Sequence, residues 1–127
     1  MILVKTRWMI PLIVSGSKTQ TRRLWGVPQV RLGSVHVCKP SAREPAFTRV
    51  RITRLGQESL ADITTEDALA EGYDSREEFL RHFCETHAQR RSLHKSADWW
   101  LNLRDQMLAD QESGPPVWVV GFELVKD

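Results

Sequence analysis

The clearest strand pattern in the chain is Phe47–Leu55, which reads FTRVRITRL. Val50 and Ile52 face one side of an extended backbone, and three polar residues face the other: Arg49, Arg51 and Thr53. This alternation predicts a β-strand with one face in the protein core and the other in solvent. The rest of the chain offers candidate neighbours for this strand on both sides of it.

Three further segments have the composition of strands: Ile2–Lys5, Val35–Lys39 and Val117–Val125. Four helical patterns lie between them: residues 7–15 up to Gly16, Thr64 to Gly72, a segment opening at Ser75, and Ala97 to about Asp110. The polar segment Gly16–Arg23 is predicted to be a loop. Strands at both ends with helices between them predict an α+β domain around a small sheet or barrel, in which the two chain ends pair.

The 127 residues suit one domain, but their charge is divided between two halves. Residues 1–54 carry 11 Lys and Arg against one acid, Glu44, for a net +10, whereas residues 55–127 carry 7 against 15, for a net −8. Two interpretations are open: one face meets an anionic or nucleotide-like partner, or the two halves attract each other within one fold.

Several classes of protein are excluded by the sequence. The longest apolar stretch falls short of the roughly 18 residues that span a membrane, and we see no signal peptide. Cys38 and Cys84 make no disulfide framework and are expected to be reduced, so we predict a cytoplasmic protein without membrane contact. The spacing of the histidines and cysteines does not fit zinc, so no metal or organic cofactor is predicted.

The densest polar segment, residues 15–23, reads SGSKTQTRR. It is not a nucleotide-phosphate loop, because Ser17 precedes Lys18 where that motif requires glycine. Lys18 and Thr21 lie three residues apart and can converge on one reacting centre, and cationic neighbours can lower the pKa of a lysine. The alternative is an exposed basic loop that binds phosphate or nothing.

Glu71 ends a short predicted helix, immediately before Gly72. The helix dipole disfavours a carboxylate there and raises its affinity for a proton, which suits an acid/base role. An exposed glutamate without a function is the alternative. Trp25 could stack on a base or pack in the core, and the face formed by Arg49 and Arg51 could bind phosphate or be solvated.

Three blocks of sequence resemble one known family. Residues 16–23, GSKTQTRR, resemble the Gly-x-Lys-x-x-Thr-x-Arg signature of ASCH domains, which belong to the PUA-like superfamily. Residues 60–73, LADITTEDALAEGY, and residues 117–123, VWVVGFE, resemble two later blocks of that family, in the same order. The resemblance implies an α+β fold with a small PUA-like β-barrel and helices packed around it.

One branch of this family implies an activity. Its members are amidohydrolases that cleave N4-acetylcytidine to cytidine and acetate, with a Lys, a Thr and a Glu as the proposed catalytic residues. Lys18, Thr21 and Glu71 match that spacing. The resemblance therefore implies hydrolysis of an N4-acylated cytosine nucleoside without a cofactor. In this reaction Thr21 attacks or positions water, Lys18 takes a proton or stabilises the oxyanion, and Glu71 orients Lys18 and shuttles a proton to the leaving amino group.

Five further residues are predicted to bind substrate: Arg22, Arg23, Trp25, Arg49 and Arg51. The predicted partner is a small nucleoside, with RNA as the alternative. Other ASCH proteins resemble RNA-binding modules or ribonucleases, so these activities of the same basic cleft are the competing hypotheses. Residues 90–113 are predicted to be a helical insertion within the single domain 1–127. The oligomeric state, monomer or dimer, stays open.

Overall fold

The structure is a computed structural model that describes residues 1–126. Within that range five strands form one sheet: β1 (Ile2–Leu3), β2 (Gln20–Arg23), β3 (Val35–Lys39), β4 (Thr48–Ser59) and β5 (Pro116–Leu124). The strand order is β1-β3-β4-β5-β2. β1 runs parallel to β3, whereas the other neighbouring pairs are antiparallel. The sheet curls into a half-barrel, and the predicted α+β class is confirmed.

Four α-helices accompany the sheet within residues 1–126: α1 (Ile10–Ser15), α2 (Thr65–Glu71), α3 (Arg76–Arg90) and α4 (Ala97–Leu108). α2 begins with a reciprocal capping box between Thr64 and Asp67, as predicted. It ends at Gly72, whose φ of 100° lies in the left-handed region that favours glycine. At Ser75, the hydroxyl accepts a hydrogen bond from the backbone N–H of Glu78 and caps α3.

The core has two parts that meet at the sheet. Val50 and Ile52 are each 1% exposed and pack with Val120 and Phe122 on the concave side, which confirms the alternation predicted for β4. The second part joins α3 to α4 around Trp100. The segment from Arg90 to residue 113 thus contains α4 and packs on α3, and its status as an insertion stays a prediction.

Two predictions about the strands are wrong. Gln20–Arg23 is not loop but strand, paired with β5 from Gln20 opposite Gly121 to Arg23 opposite Trp118. The segment lacks the apolar alternation typical of a strand, because its buried position is occupied by Arg22. Carboxylates neutralise the charge of this buried arginine. The chain ends also do not pair with each other, since β1 pairs with β3.

The two cysteines and the lengths of the helices can be compared with what the sequence indicated. Cys38 and Cys84 are buried free thiols. Burial raises the pKa of Cys38 to about 11 and that of Cys84 to about 12, so both thiols are protonated at neutral pH. Among residues 1–126, the structure contains no helix with the length and apolar composition needed to cross a membrane.

Candidate active site

Three buried charged side chains meet where β2 approaches the end of α2. Lys18 and Arg22 are each 4% exposed and Glu71 is 2% exposed; we call these three residues the buried charge cluster. The backbone N–H of Thr19 donates to the carbonyl of Ala70 at 2.8 Å, which ties the start of β2 to the last turn of α2. Charged groups at this depth require partners, because an isolated buried charge is very unfavourable.

Lys18 has a full set of hydrogen-bond acceptors. Its Nζ donates to the backbone oxygens of Gln20 at 2.7 Å and Glu71 at 2.8 Å, and to Oε1 of Glu71 at 3.4 Å. Three acceptors match the three donors of an ammonium group. Burial nevertheless lowers the pKa of Lys18, and the Glu71 carboxylate opposes that effect only in part. Lys18 thus loses a proton at a lower pH than an exposed lysine does.

Arg22 holds the other oxygen of Glu71. Its Nη1 donates to Oε2 of Glu71 at 2.9 Å, and its Nε and Nη2 both donate to Oε1 of Glu58, at 3.1 and 2.6 Å. Asp67 lies 3.2 Å from Nη2 and accepts a hydrogen bond from Gln20. We predicted that Arg22 binds substrate, but the structure shows its guanidinium enclosed by protein carboxylates. Arg22 fixes the position of Glu71, and its role in substrate binding stays a prediction.

Thr21 lies on the same strand as Arg22 and lines a cavity together with Lys18 and Glu71. No hydrogen bond joins its hydroxyl to a protein group in residues 1–126, so that hydroxyl can serve a ligand. The structure thus brings Lys18, Thr21 and Glu71 to one cavity, although the chain separates Thr21 from Glu71 by fifty positions. Their catalytic roles stay a prediction.

The cavity lies between the concave side of the sheet and α3 and has a volume of about 450 Å³. This volume is typical of small-molecule sites. Apolar side chains from both elements line it, among them Val50, Phe122, Phe79 and Phe83. Trp25 and Arg23, which we predicted to bind substrate, also line it. Trp25 is partly buried and packs against the sheet core, so both sequence interpretations of this residue fit its position.

Arg49 and Arg51 do not reach this cavity. They alternate with Val50 and Ile52 along β4, and Val50 faces the cavity, so the two arginines project from the opposite face of the sheet. Arg51 is exposed, donates to the carbonyl of Gly33 at 3.3 Å and lies 3.9 Å from Glu123. The prediction that these arginines bind phosphate therefore concerns a separate surface.

Sequence reasoning missed the polar residues that α3 contributes. His82, Thr86, His87 and Arg90 line the cavity at intervals of three and four residues, as Phe79 and Phe83 do. This helical spacing was a usable signal, but only the apolar members of the stripe were counted. His82 shares a hydrogen bond of 2.5 Å with the hydroxyl of Tyr73. Burial lowers the pKa of His82, which keeps its ring neutral at neutral pH.

Metal ligands are a separate question from these cavity residues. In the part of the chain that the structure describes, no group of three or more His, Cys, Asp or Glu side chains is placed to hold a metal ion. His82 and Cys84, which are two positions apart in sequence, illustrate the geometry: Cys84 is buried in the helical core, whereas His82 lines the cavity.

Comparisons with solved structures agree with this architecture. One similar structure is an ASCH domain from Lactobacillus crispatus, with a TM-score of 0.60 and 15% identity over 93% of this chain and 70% of that chain. Another is a protein from Enterococcus faecalis assigned to the family model DUF984, with a TM-score of 0.61 and 18% identity over the same shares. Neither the family models nor the curated proteins gave a match to the sequence.

The chain thus has the α+β fold of an ASCH domain, as the three sequence blocks implied. At 15% and 18% identity, the similarity concerns the fold and carries no information about substrate or reaction. Any function must therefore be argued from the buried charge cluster and from the cavity beside it.

Proposed function

We propose that the protein hydrolyses the exocyclic amide of an N4-acylated cytosine nucleoside, such as N4-acetylcytidine, to the free nucleoside and a carboxylate. The observation that carries the proposal is the buried Lys18, held against Glu71 at a cavity where the hydroxyl of Thr21 has no hydrogen-bond partner among residues 1–126. A lysine activated by burial beside a hydroxyl is one of the arrangements that enzymes use for acyl transfer.

The reaction begins with attack on the acyl carbonyl carbon. Lys18 first loses one proton to solvent, which its lowered pKa favours. The Thr21 oxygen then forms the new bond, its proton passes to the resulting neutral amine, and the carbonyl oxygen takes up the negative charge. When the C–N bond breaks, Lys18 returns the proton to the exocyclic nitrogen, which leaves as the cytosine amino group. Water then hydrolyses the threonine ester in the same manner and regenerates the hydroxyl.

Glu71 serves this scheme by controlling the charge and position of Lys18. Its carboxylate stabilises the ammonium form of Lys18 at 3.4 Å, and its own backbone oxygen fixes the same Nζ at 2.8 Å. Arg22 holds the second carboxylate oxygen, so Glu71 cannot rotate freely towards solvent. In this proposal Thr21 is the nucleophile, Lys18 the base and Glu71 the orienting residue, which are the three roles of a catalytic triad.

Two placements favour a small ligand over a nucleic-acid surface. The competing hypothesis requires Lys18, Arg22, Arg23, Arg49 and Arg51 to contact phosphates together. Lys18 and Arg22 are buried and paired with protein groups, and Arg51 lies on the far face of the sheet. A single phosphate-binding surface made of all five residues is therefore incompatible with this arrangement.

The test is incubation of the purified protein with N4-acetylcytidine and chromatographic measurement of cytidine. We expect turnover by the wild type and a loss of at least about 100-fold in Lys18→Ala, Thr21→Ala and Glu71→Ala. Thr19→Ala is the matched control, since Thr19 is exposed and its side chain lies outside the cavity. Absence of wild-type turnover, or full activity in Thr21→Ala, would overturn the proposal.

A second measurement separates attack by Thr21 from attack by a water molecule that Thr21 positions. Rapid quenching followed by intact-protein mass spectrometry should detect an acetyl adduct on the wild type and none on Thr21→Ala. An active protein that never carries the adduct would assign the attack to water and leave Thr21 as a positioning residue.

A further inference from the structure

The cavity has an excess of positive charge that the amide reaction does not use. Five cationic side chains line it: Lys5, Lys18, Arg22, Arg23 and Arg90. Among residues 1–126, Glu71 is the one carboxylate in that lining, and it already contacts Lys18 and Arg22. Among residues 1–126, the other three cations, Lys5, Arg23 and Arg90, thus have no second carboxylate in the cavity wall.

Arg23 enters this wall from the sheet. Its Nη2 donates to the backbone oxygen of Leu3 at 3.1 Å, and its other four N–H donors have no acceptor within residues 1–126. Burial is the largest cause that lowers the pKa of Arg23, and Arg90 acts in the same direction. A partly buried guanidinium with unused donors is costly for the empty protein, because its charge is only partly solvated.

Arg90 enters the same wall from the opposite side, as the last residue of α3. It is exposed, and no hydrogen bond or ion pair joins it to another described residue of the chain. The ring of His87 lines the same cavity, and burial lowers its pKa to about 4, with further lowering by Arg90 and Arg23. His87 is neutral at pH 7, so Arg23 and Arg90 supply the local charge.

We propose that Arg23 and Arg90 form a phosphate subsite, and that the ligand of the cavity is a cytosine nucleoside 5′-monophosphate rather than the unphosphorylated nucleoside. The base in this proposal rests on the proposed function, whereas the subsite itself requires only a phosphate. Two guanidiniums from facing elements match the geometry of phosphate oxygens, which accept paired N–H donors. A 450 Å³ cavity encloses one nucleotide, not a helix of RNA.

The direct test is calorimetric binding of cytidine 5′-monophosphate and of cytidine to the full chain. We expect the monophosphate to bind at least about tenfold more tightly than the nucleoside, with a preference that weakens as salt increases. Arg90→Gln should lose most of that preference. Arg81→Gln is the matched control, because Arg81 is an exposed arginine of the same helix outside the cavity lining, and it should keep the preference.

The outcomes separate this inference from the proposed function. Equal affinity for the two ligands, no binding of the monophosphate, or an unchanged preference in Arg90→Gln would overturn the phosphate subsite, even if N4-acetylcytidine is hydrolysed. Preferential binding that depends on Arg90, without hydrolysis of N4-acetylcytidine or its 5′-monophosphate, would support the subsite while the amidohydrolase proposal fails. Tighter Arg90-dependent binding of an RNA oligonucleotide without a terminal phosphate would overturn the mononucleotide assignment.

Discussion

Arg22 on β2 and Arg51 on β4 are both strand arginines from the basic half of the chain, and their environments differ completely. The Arg22 side chain has 0% of its area exposed and lies 2.9 Å from Glu71 and 2.6 Å from Glu58. The Arg51 side chain is 48% exposed and lies 3.9 Å from Glu123. Positive charge alone therefore did not indicate which of the two arginines belongs to the buried charge cluster.

The difference follows from what alternates with each arginine. On β4, Val50 and Ile52 mark the buried face, and the arginines between them must face solvent. On β2, Arg22 itself occupies the buried face, and its charge is balanced by residues 36 and 49 positions further along the chain. A buried ion pair formed over that distance leaves no local pattern in the sequence.

Removing the carboxylate that Lys18 and Arg22 share should give the largest effect on stability. Glu71→Gln keeps the volume but leaves two buried cations facing an uncharged amide, so we expect the free energy of unfolding to fall by about 3–5 kcal/mol. Urea denaturation followed by circular dichroism measures this loss. Glu123→Gln removes the exposed partner of Arg51 and provides the control, with an expected loss below about 1 kcal/mol.

A double variant tests whether the loss arises from the unpaired charge. Lys18→Met combined with Glu71→Gln removes the carboxylate together with one of its two cationic partners. We expect the double variant to be less destabilised than the sum of the two single variants, with an interaction energy of at least about 1 kcal/mol. Strict additivity would show that the two side chains do not stabilise each other.

Arg22→Met should have the second-largest effect. Glu71 would lose one of its two cationic partners and keep Lys18, whereas Glu58 is partly exposed and can be hydrated instead. We expect a loss of roughly 2–3 kcal/mol in the free energy of unfolding. Because Arg22 acts through Glu71, kcat for N4-acetylcytidine should fall while KM changes little; a large rise in KM alone would return Arg22 to substrate binding.

Much of the fold was predictable because its signals are local. The alternation in β4, the capping box at Thr64 and the left-handed glycine after α2 each depend on a few adjacent residues, and the structure confirms them. β2 was not predictable in this way, since its partner β5 lies about a hundred residues away and its buried face is charged.

The candidate site likewise contains residues that the sequence indicated and residues that it did not. The resemblance to ASCH domains indicated Lys18, Thr21 and Glu71, and all three reach the cavity. The spacing of Arg22 from its partners Glu58 and Glu71 gave no comparable signal. Arg90 was also missed, because it was considered only as the first residue of the predicted insertion at 90–113.

The pKa of Lys18 provides a smaller effect that still distinguishes the buried cluster from the exposed surface. Burial lowers this pKa from 10.5, so between the folded pKa and 10.5 the unfolded chain binds more protons and the free energy of unfolding rises with pH. NMR titration of the lysine side chains should show a Lys18 midpoint below 10.5. Glu71→Gln should lower it further, because the carboxylate opposes the effect of burial; an increase would contradict the assigned pairing.

Arg51→Gln should produce the smallest change, and this result is as informative as the largest. The side chain is half exposed and its nearest carboxylate is 3.9 Å away, so we expect the free energy of unfolding to change by less than about 0.5 kcal/mol. Turnover of N4-acetylcytidine should also stay at the wild-type level, because β4 presents Val50, not Arg51, to the cavity. Reduced turnover of N4-acetylcytidine with unchanged stability would contradict the placement of Arg51 outside the site.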